Sequence, residues 1–292
     1  MKIGAIIQAR TASTRMPAKV LQPLPLGSDT TVLDQVINRV QNVQSVHQVI
    51  LATTTDQDDQ ILEKTAQRHQ IDCFLGSEQD VLSRFFHAAW HHDLQHIVRI
   101  TSDCPCIDPS IIDLVIEKHL QTESDFTTNC LSRSFVHGMD TEVLTFSSLT
   151  RAYENATRPY ERQHVCPYIY KTAPESFRIT RVMAPEELHA PDIRATLDTP
   201  EDYALLCAIY DDLYKLFPAF NSQQLIALIR AKPWLQWFNS RVSHKQVLGS
   251  LEEELEEAFR VMRRQELHTA ADHLQKLIGT ITRHHNPSYV HR

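Results

Sequence analysis

Residues 2–19 read KIGAIIQARTASTRMPAK, and the change of character at Arg10 decides the architecture. The first eight residues are a compact apolar run of strand length. The next ten carry Arg10, Arg15 and Lys19 among the small hydroxyl residues Thr11, Ser13 and Thr14. Working outward, residues 31–44 (TVLDQVINRVQNVQ) place Val32, Leu33, Val36, Ile37 and Val40 on one helical face. The β-branched run HQVILATTT (47–55) follows, then the amphipathic DDQILEKTAQRHQ (58–70). IDCFLG (71–76), DVLSRFFHAAWHHDL (80–94), HIVRITSD (96–103) and IIDLVIEKHLQ (111–121) continue the alternation, with Asp108 and Pro109 in cap and first-turn positions of the last helix. Strands interleaved with helices of this length predict βαβ units and a mostly parallel sheet. Ligands of such sheets bind off the carboxyl ends of the strands, so the segments just after each strand carry the chemistry.

From residue 125 the rhythm changes. DFTTN (125–129), TEVLTF (141–146) and FRITRVM (177–183) read as strands. SLTRAYENA (148–156), ERQHVCPYIYKTA (161–173) and PEDYALLCAIYDDLYKLF (200–217) read as helices. A boundary is expected within residues 239–249, giving an α/β domain over 1–242 and a helical extension over 249–285. Leu251, Leu255, Ala258, Phe259 and Met262, then Leu267, Ala271, Leu274 and Ile278, predict two amphipathic helices there.

Composition narrows the function. The chain has 292 residues and a formal charge of -7, which argues against general nucleic-acid binding. No apolar run approaches the roughly 18 residues of a membrane span, and Lys2 leads directly into a strand without a signal-peptide layout. Six cysteines without a short-domain spacing predict free thiols in a reducing cytoplasm. Six glycines leave no GxGxxG and no GxxxxGK[ST], which removes the two commonest nucleotide loops.

Charge is nevertheless unevenly placed. The first 28 residues carry Lys2, Arg10, Arg15 and Lys19, and the first acid is Asp29. A cationic, hydroxyl-bearing loop at a strand's carboxyl end suits an oligophosphate, though a solvated basic loop has the same composition. In TSDCPCID, Asp103 falls at a strand end, where a carboxylate can hold Mg²⁺ beside phosphate, or simply begin a turn before Pro105. In ATLDTPEDY, helix capping accounts for Thr199, Pro200 and Asp202 but leaves Asp198 without a structural duty, so Asp198 is the better metal candidate. HGMDTEV places Asp140 and Glu142 two apart, on one face of an expected strand. ERQHVCPYIY places Arg162 and His164 near an expected helix start. His87 and His91 have i, i+4 spacing without the glutamate of a zinc helix, and read as a solvated face.

These segments, in this order, resemble the cytidylyltransferases that activate sugar acids, most closely the branch named for spore coat polysaccharide biosynthesis protein F. The likeness rests on IIQARTASTRMPAKVL, GSEQDVLSRFFHAA, RITSDCPCIDP, HGMDTEVLTF with ERQHVCPYIY, and RATLDTPEDY, and it spans residues 1 to about 240. It implies a glycosyltransferase-A-like, Rossmann-like α/β nucleotide-binding domain with a mixed, mostly parallel sheet. It also implies CTP as donor, Mg²⁺ as cofactor, a sugar-acid acceptor and a homodimer. By position, Gln8, Ala9, Arg10, Ser13, Thr14, Arg15, Lys19, Thr54, Ser77, Arg84 and Ser102 would line the nucleotide. Asp103 and Asp198 would hold the metal and, with Arg15 and Lys19, carry catalysis. Asp140, Glu142, Arg162 and His164 would face the sugar.

The chain departs from the family pattern at Ala18 and Ser102, where glycine is usual, at Ala195, usually aromatic, and at Gln163, usually Glu. The implied reaction is attack of a sugar hydroxyl on the α-phosphate of CTP with release of pyrophosphate. Two other readings share the pattern: a glycosyltransferase using a nucleotide sugar, although the DxD pair is missing, and a non-catalytic nucleotide-binding scaffold.

Overall fold

The computed structural model describes residues 1–242 and 248–285, with side chains to residue 278. The described residues fall into two units, 1–242 and the segment beyond 242.

The first unit is built on a seven-stranded sheet of order β3-β2-β1-β4-β6-β5-β7. Its strands are β1 (Ile3–Gln8), β2 (Gln48–Thr54), β3 (Asp72–Gly76), β4 (His96–Thr101), β5 (Phe126–Thr128), β6 (Glu142–Thr145) and β7 (Ile179–Arg181). β1 pairs in parallel with β2 and β4, and β2 with β3. β6 is antiparallel to β4 and β5, while β5 and β7 are parallel. The sheet is therefore mixed and mostly parallel, the α/β class expected.

Alternation along β1 divides the core between the two faces. Ile3, Ala5 and Ile7 pack with α1 (Val32–Val40), α4 (Pro109–Gln121), α7 (Pro200–Leu213) and α8 (Ser222–Ala231). Ile6, with Ile50 and Ile97, packs on the other face with α3 (Val81–His91) and α5 (Phe146–Asn155). The second unsplit helix of the first half, α2 (Gln60–Arg68), sits between β2 and β3 in the chain.

Helix starts follow local chemistry. Thr31 and Asp34 close a capping box on α1, and Thr199 and Asp202 close one on α7, which begins with Pro200. Asp108 caps α4 ahead of Pro109. The expected helix over 161–173 is broken. α6 (Pro159–His164) ends at Val165, whose φ of 70° is left-handed, and a short π turn occupies Tyr168–Thr172. Pro167 explains the break, since its ring excludes a continuous helix through the preceding turn. Arg162 and His164 thus sit at a helix end, not at a start.

Beyond the first unit, α9 (Leu251–Arg264) and α10 (His268–His285) form a helical pair. No helix among the described residues is long and apolar enough to cross a membrane.

Candidate active site

β1 lies where the strand order reverses, with β2 on one side and β4 on the other, the switch point at which ligands of such sheets bind. Register aligns the ends: Gln8 pairs with Thr101 on β4 and with Ala52 on β2. The loop after β1 and Ser102–Asp103 after β4 are neighbours, and the Ser102 N–H donates to the Gln8 carbonyl at 3.2 Å.

The basic loop is held in a defined course. The Thr11 N–H and hydroxyl both donate to Asp59 Oδ1 at 2.7 Å, and the Thr54 hydroxyl donates to the other oxygen of the same carboxylate. Burial would raise the Asp59 carboxyl, but the Thr54 and Thr11 hydrogen bonds hold it below its ordinary value. The Ala18 N–H closes the loop onto the Thr11 carbonyl at 3.0 Å. Ala18 itself has φ 52° and ψ 30°, left-handed values that suit the glycine usual at this position. Ser102 is not among the residues with positive φ, so its side chain imposes no such strain.

Lys19 follows at the start of a 3-10 turn (Lys19–Leu21). Its Nζ donates to Asp103 Oδ2 at 2.7 Å, Asp198 Oδ1 at 2.9 Å and the Leu197 carbonyl at 2.6 Å. Arg15 reaches Asp198 Oδ1 at 3.0 Å, and Arg194 reaches Asp198 Oδ2 at 3.0 Å. Burial would raise Asp198, yet Lys19, Arg15 and Arg194 outweigh it and hold the carboxyl far below the usual range. The reverse balance holds for Lys19: burial would lower it, and the attraction of Asp103 and Asp198 raises it. Two carboxylates from distant segments therefore converge on one cationic centre. That donor set, hard oxygens aimed at a single point, fits a hard divalent cation. Among the described residues no group of three or more His, Cys, Asp or Glu side chains gathers to hold a metal, so phosphate and water oxygens would complete its shell.

Backbone sets the spacing of the two carboxylates. The Leu197 N–H donates to the Asp103 carbonyl at 2.8 Å, and the Thr196 hydroxyl donates to the same oxygen at 3.1 Å. Arg194 forms a bidentate pair with Asp202 at 2.8 Å on each arm, and Asn239 donates to Asp202 Oδ1 at 2.9 Å. Asp202 thus caps α7 and also anchors the arginine behind Asp198. Upstream, the Ala195 N–H donates to the His137 carbonyl at 2.7 Å and the His137 N–H to the Ile193 carbonyl at 2.9 Å. Gly138, with φ 117°, completes this joint: a Cβ there would lie 2.5 Å from the Ala195 carbonyl oxygen.

The other expected residues divide. Arg10 pairs with Glu78 at 3.0 Å and remains half exposed. Arg84 is buried, and burial first, then the neighbouring Arg10, lowers its guanidinium to about 10. Ser77 accepts from the Asp80 N–H at 3.0 Å, next to the start of α3, which Asp80 caps. Ser13 and Thr14 lie in the loop, and Ala9 is buried at its root. On the sugar side, Asp140 precedes β6 instead of lying on its face, so the two-residue spacing with Glu142 does not make them strand neighbours. Asp140 pairs with both arms of Arg133 at 2.8 and 3.1 Å. Glu142 pairs with Arg99 across the β4–β6 ladder, and Arg99 Nε donates to the Gln8 side chain at 3.0 Å. Arg162 Nε donates to Asp80 at 3.0 Å and Nη1 to the Tyr153 carbonyl at 2.7 Å, away from Asp140. His164 is half-buried at the end of α6. His87 also departs from the solvated reading, since its ring packs edge-on against Tyr153.

Asp59, Arg99, Arg133 and Arg194 were not legible as site residues. Their partners lie 43 or more residues away for Asp59 to Thr11 and Arg99 to Glu142, and no local pattern announces such pairs. Arg133 and Arg194 carried a weak signal, standing within eight residues of acids the pattern singled out.

The family described as cytidylyltransferase matches residues 4–232. An uncharacterized protein of Methanocaldococcus jannaschii is 36% identical over 247 residues, which cover 84% of this chain and 97% of that protein. The spore coat polysaccharide biosynthesis protein SpsF of Bacillus subtilis is 32% identical over 232 residues, covering 78% of this chain and 94% of that one. A solved cytidylyltransferase from Leptospira borgpetersenii superposes with a TM-score of 0.74 at 35% identity, covering 80% of this chain and 96% of its own. The chain belongs to the cytidylyltransferase family.

Proposed function

We propose that this cytidylyltransferase family member transfers CMP from CTP to a hydroxyl of a sugar acid, a nonulosonic acid or a related sugar, for surface polysaccharide or glycan synthesis. The observation that carries the reading is the convergence of Asp103 and Asp198 on Lys19, beside Arg15 of the loop after β1. A phosphoryl-transfer site needs this pairing of carboxylates for a cation with cations for phosphate.

The acceptor oxygen attacks the α-phosphorus in line. A new oxygen–phosphorus bond forms, the bond to the bridging oxygen of the β-phosphate breaks, and pyrophosphate departs while the hydroxyl proton passes to solvent. Arg15 and Lys19 receive the β- and γ-phosphates, which draws both cations off Asp198 Oδ1 and frees that oxygen, while Arg194 keeps Oδ2. Asp103 and Asp198 would hold Mg²⁺, which when bound neutralises α-phosphate charge and lowers the pKa of the attacking hydroxyl. Gln8, Ala9, Arg10, Ser13, Thr14, Thr54, Ser77, Arg84 and Ser102 surround the nucleotide in this reading. Asp140, held by Arg133, binds the acceptor through its hydroxyls. Glu142 serves it indirectly by fixing Arg99 against Gln8, and Arg162 by fixing Asp80; His164, two residues on from Arg162, contributes from the end of α6. Six free cysteines suit a cytoplasmic setting.

A panel of sugar acids, each incubated with CTP, UTP, GTP or ATP and assayed for pyrophosphate, tests the proposal. Release with CTP and one sugar acid is expected. Exclusive use of another nucleotide, or turnover of a nucleotide sugar instead, would overturn it.

A further inference from the structure

The segment after residue 242 lies beyond the family match, which ends at residue 232. Its two helices share one design. Leu251, Leu255, Ala258 and Met262 on α9 are spaced four, three and four, and Leu267, just ahead of α10, with Ala271, Leu274 and Ile278 on it, repeats that spacing. This is the apolar seam of a helical bundle. Of these eight side chains, Ala271 alone is fully buried, while Leu251 stays 59% exposed and Leu267 50%. Leu277, beside the α10 seam, is 60% exposed. A two-helix pair covers one flank of each seam and leaves the other wet, and a unit this small lacks the core to hold itself together.

Charge indicates what covers the open flank. The first seven residues of α9 carry Glu252, Glu253, Glu254, Glu256 and Glu257 and no base. Its last five carry Arg260, Arg263 and Arg264 and no acid. Within one chain Arg260 pairs with Glu257 at 2.9 Å and Arg263 with Asp272 at 2.5 Å, and the helix turned end for end across a two-fold axis still sets each acidic half against a basic half.

We propose that the C-terminal hairpin is a self-association module: α9 and α10 of one chain pack against α9 and α10 of a second copy, with the two α9 helices antiparallel, completing a four-helix bundle. The contact is additional to any made by residues 1–242 and does not depend on the reaction proposed above.

Sedimentation velocity on the full chain and on a chain ending at Val242 gives the first measure. The shorter chain retains the sheet, its core and the whole family match. The full chain should form an assembly of twice as many copies as the shorter one. Equal copy numbers for the two overturn the proposal.

Charge reversal gives the second measure and does not require that an apolar variant fold. A basic variant (Glu252→Arg, Glu254→Arg and Glu256→Arg) and an acidic variant (Arg260→Glu, Arg263→Glu and Arg264→Glu) should each self-associate at least tenfold more weakly than the natural chain. Mixed in equal amounts, they should associate with each other to within about threefold of it, because each helix now meets its opposite. If mixing restores nothing, the antiparallel self-pairing is wrong. Pyrophosphate release should be unchanged in both variants.

Discussion

At the carboxyl ends of β1 and β4, Arg10 and Arg15 keep 51% and 38% of their side chains exposed, and three cations crowd one carboxylate, Asp198. Around β5 and β6 the cations are committed. Arg133 is spent on Asp140 with both arms, and Arg99 is held by Glu142 and Gln8 with 14% of its side chain exposed. The parallel half of the sheet therefore holds positive charge that an incoming polyanion can recruit. In the antiparallel half Arg133 and Arg99 are balanced internally, so under the proposed function it would offer an acceptor directed hydrogen bonds and fixed shape. Affinity for the donor should thus be electrostatic, and selection of the acceptor geometric.

Four measurements can break or sharpen this contrast. Asp198→Asn removes one of two converging carboxylates, and pyrophosphate release should fall on the order of 10³-fold. Its melting temperature should fall as well, since Lys19, Arg15 and Arg194 lose the charge they surround, so release is compared at a temperature where circular dichroism shows the variant folded. A variant that keeps natural turnover would detach the metal from this point.

The second measurement concerns pH and the antiparallel half. His119 on α4 hydrogen-bonds Thr127 of β5 at 3.0 Å, and His96 at 3.0 Å. Burial first, then His96, lowers its imidazole from 6.5 to about 4. The unfolded ring takes up a proton near pH 6.5 while the folded ring stays neutral, so stability falls as pH drops between these values. The loss should be on the order of 3 kcal/mol by pH 4, and His119→Gln should flatten that part of a urea-midpoint profile. An unchanged profile in the variant would assign the acid sensitivity elsewhere.

Third, Asp140→Asn should raise the acceptor KM about tenfold while leaving the CTP KM within twofold, because one acceptor-side hydrogen bond changes and the donor's cations do not. Equal rises in both would erase the division between the halves. Last and smallest, Ala18→Gly should be neutral or stabilising by up to about 1 kcal/mol in chemical denaturation, since it removes a Cβ from a left-handed position. A loss of more than that would mean the alanine methyl packs usefully.

Much of this fold was legible because its strands are apolar runs and its helices advertise their caps. Asp108 and Thr199 cap as their neighbours in sequence imply, and the parallel strands follow from the βαβ rhythm. Asp103 and Asp198 stood out for a related reason: local capping left Asp198 unexplained. The antiparallel half was harder. Its strands have three or four residues, too few for periodicity to separate a strand from the turn before it, which is how Asp140 came to be read onto the face of β6. Asp202 shows the same limit differently, since the capping box was visible but its hold on Arg194 and Asn239 needs contacts up to 37 residues apart. Positive φ at Ala18 was signalled by the glycine usual there, and no composition argument could have supplied it.

The joint at Gly138 and Ala195 has one more consequence. Asp140 stands two residues downstream of Gly138, and Asp198 three downstream of Ala195, and the two segments are locked by main-chain hydrogen bonds at 2.7 and 2.9 Å. The main-chain separation of these two segments is therefore fixed by peptide units, and with it the points from which the Asp140 and Asp198 side chains extend. Side chains around Asp140 can therefore change without shifting the backbone that carries Asp198, provided position 138 never acquires a side chain.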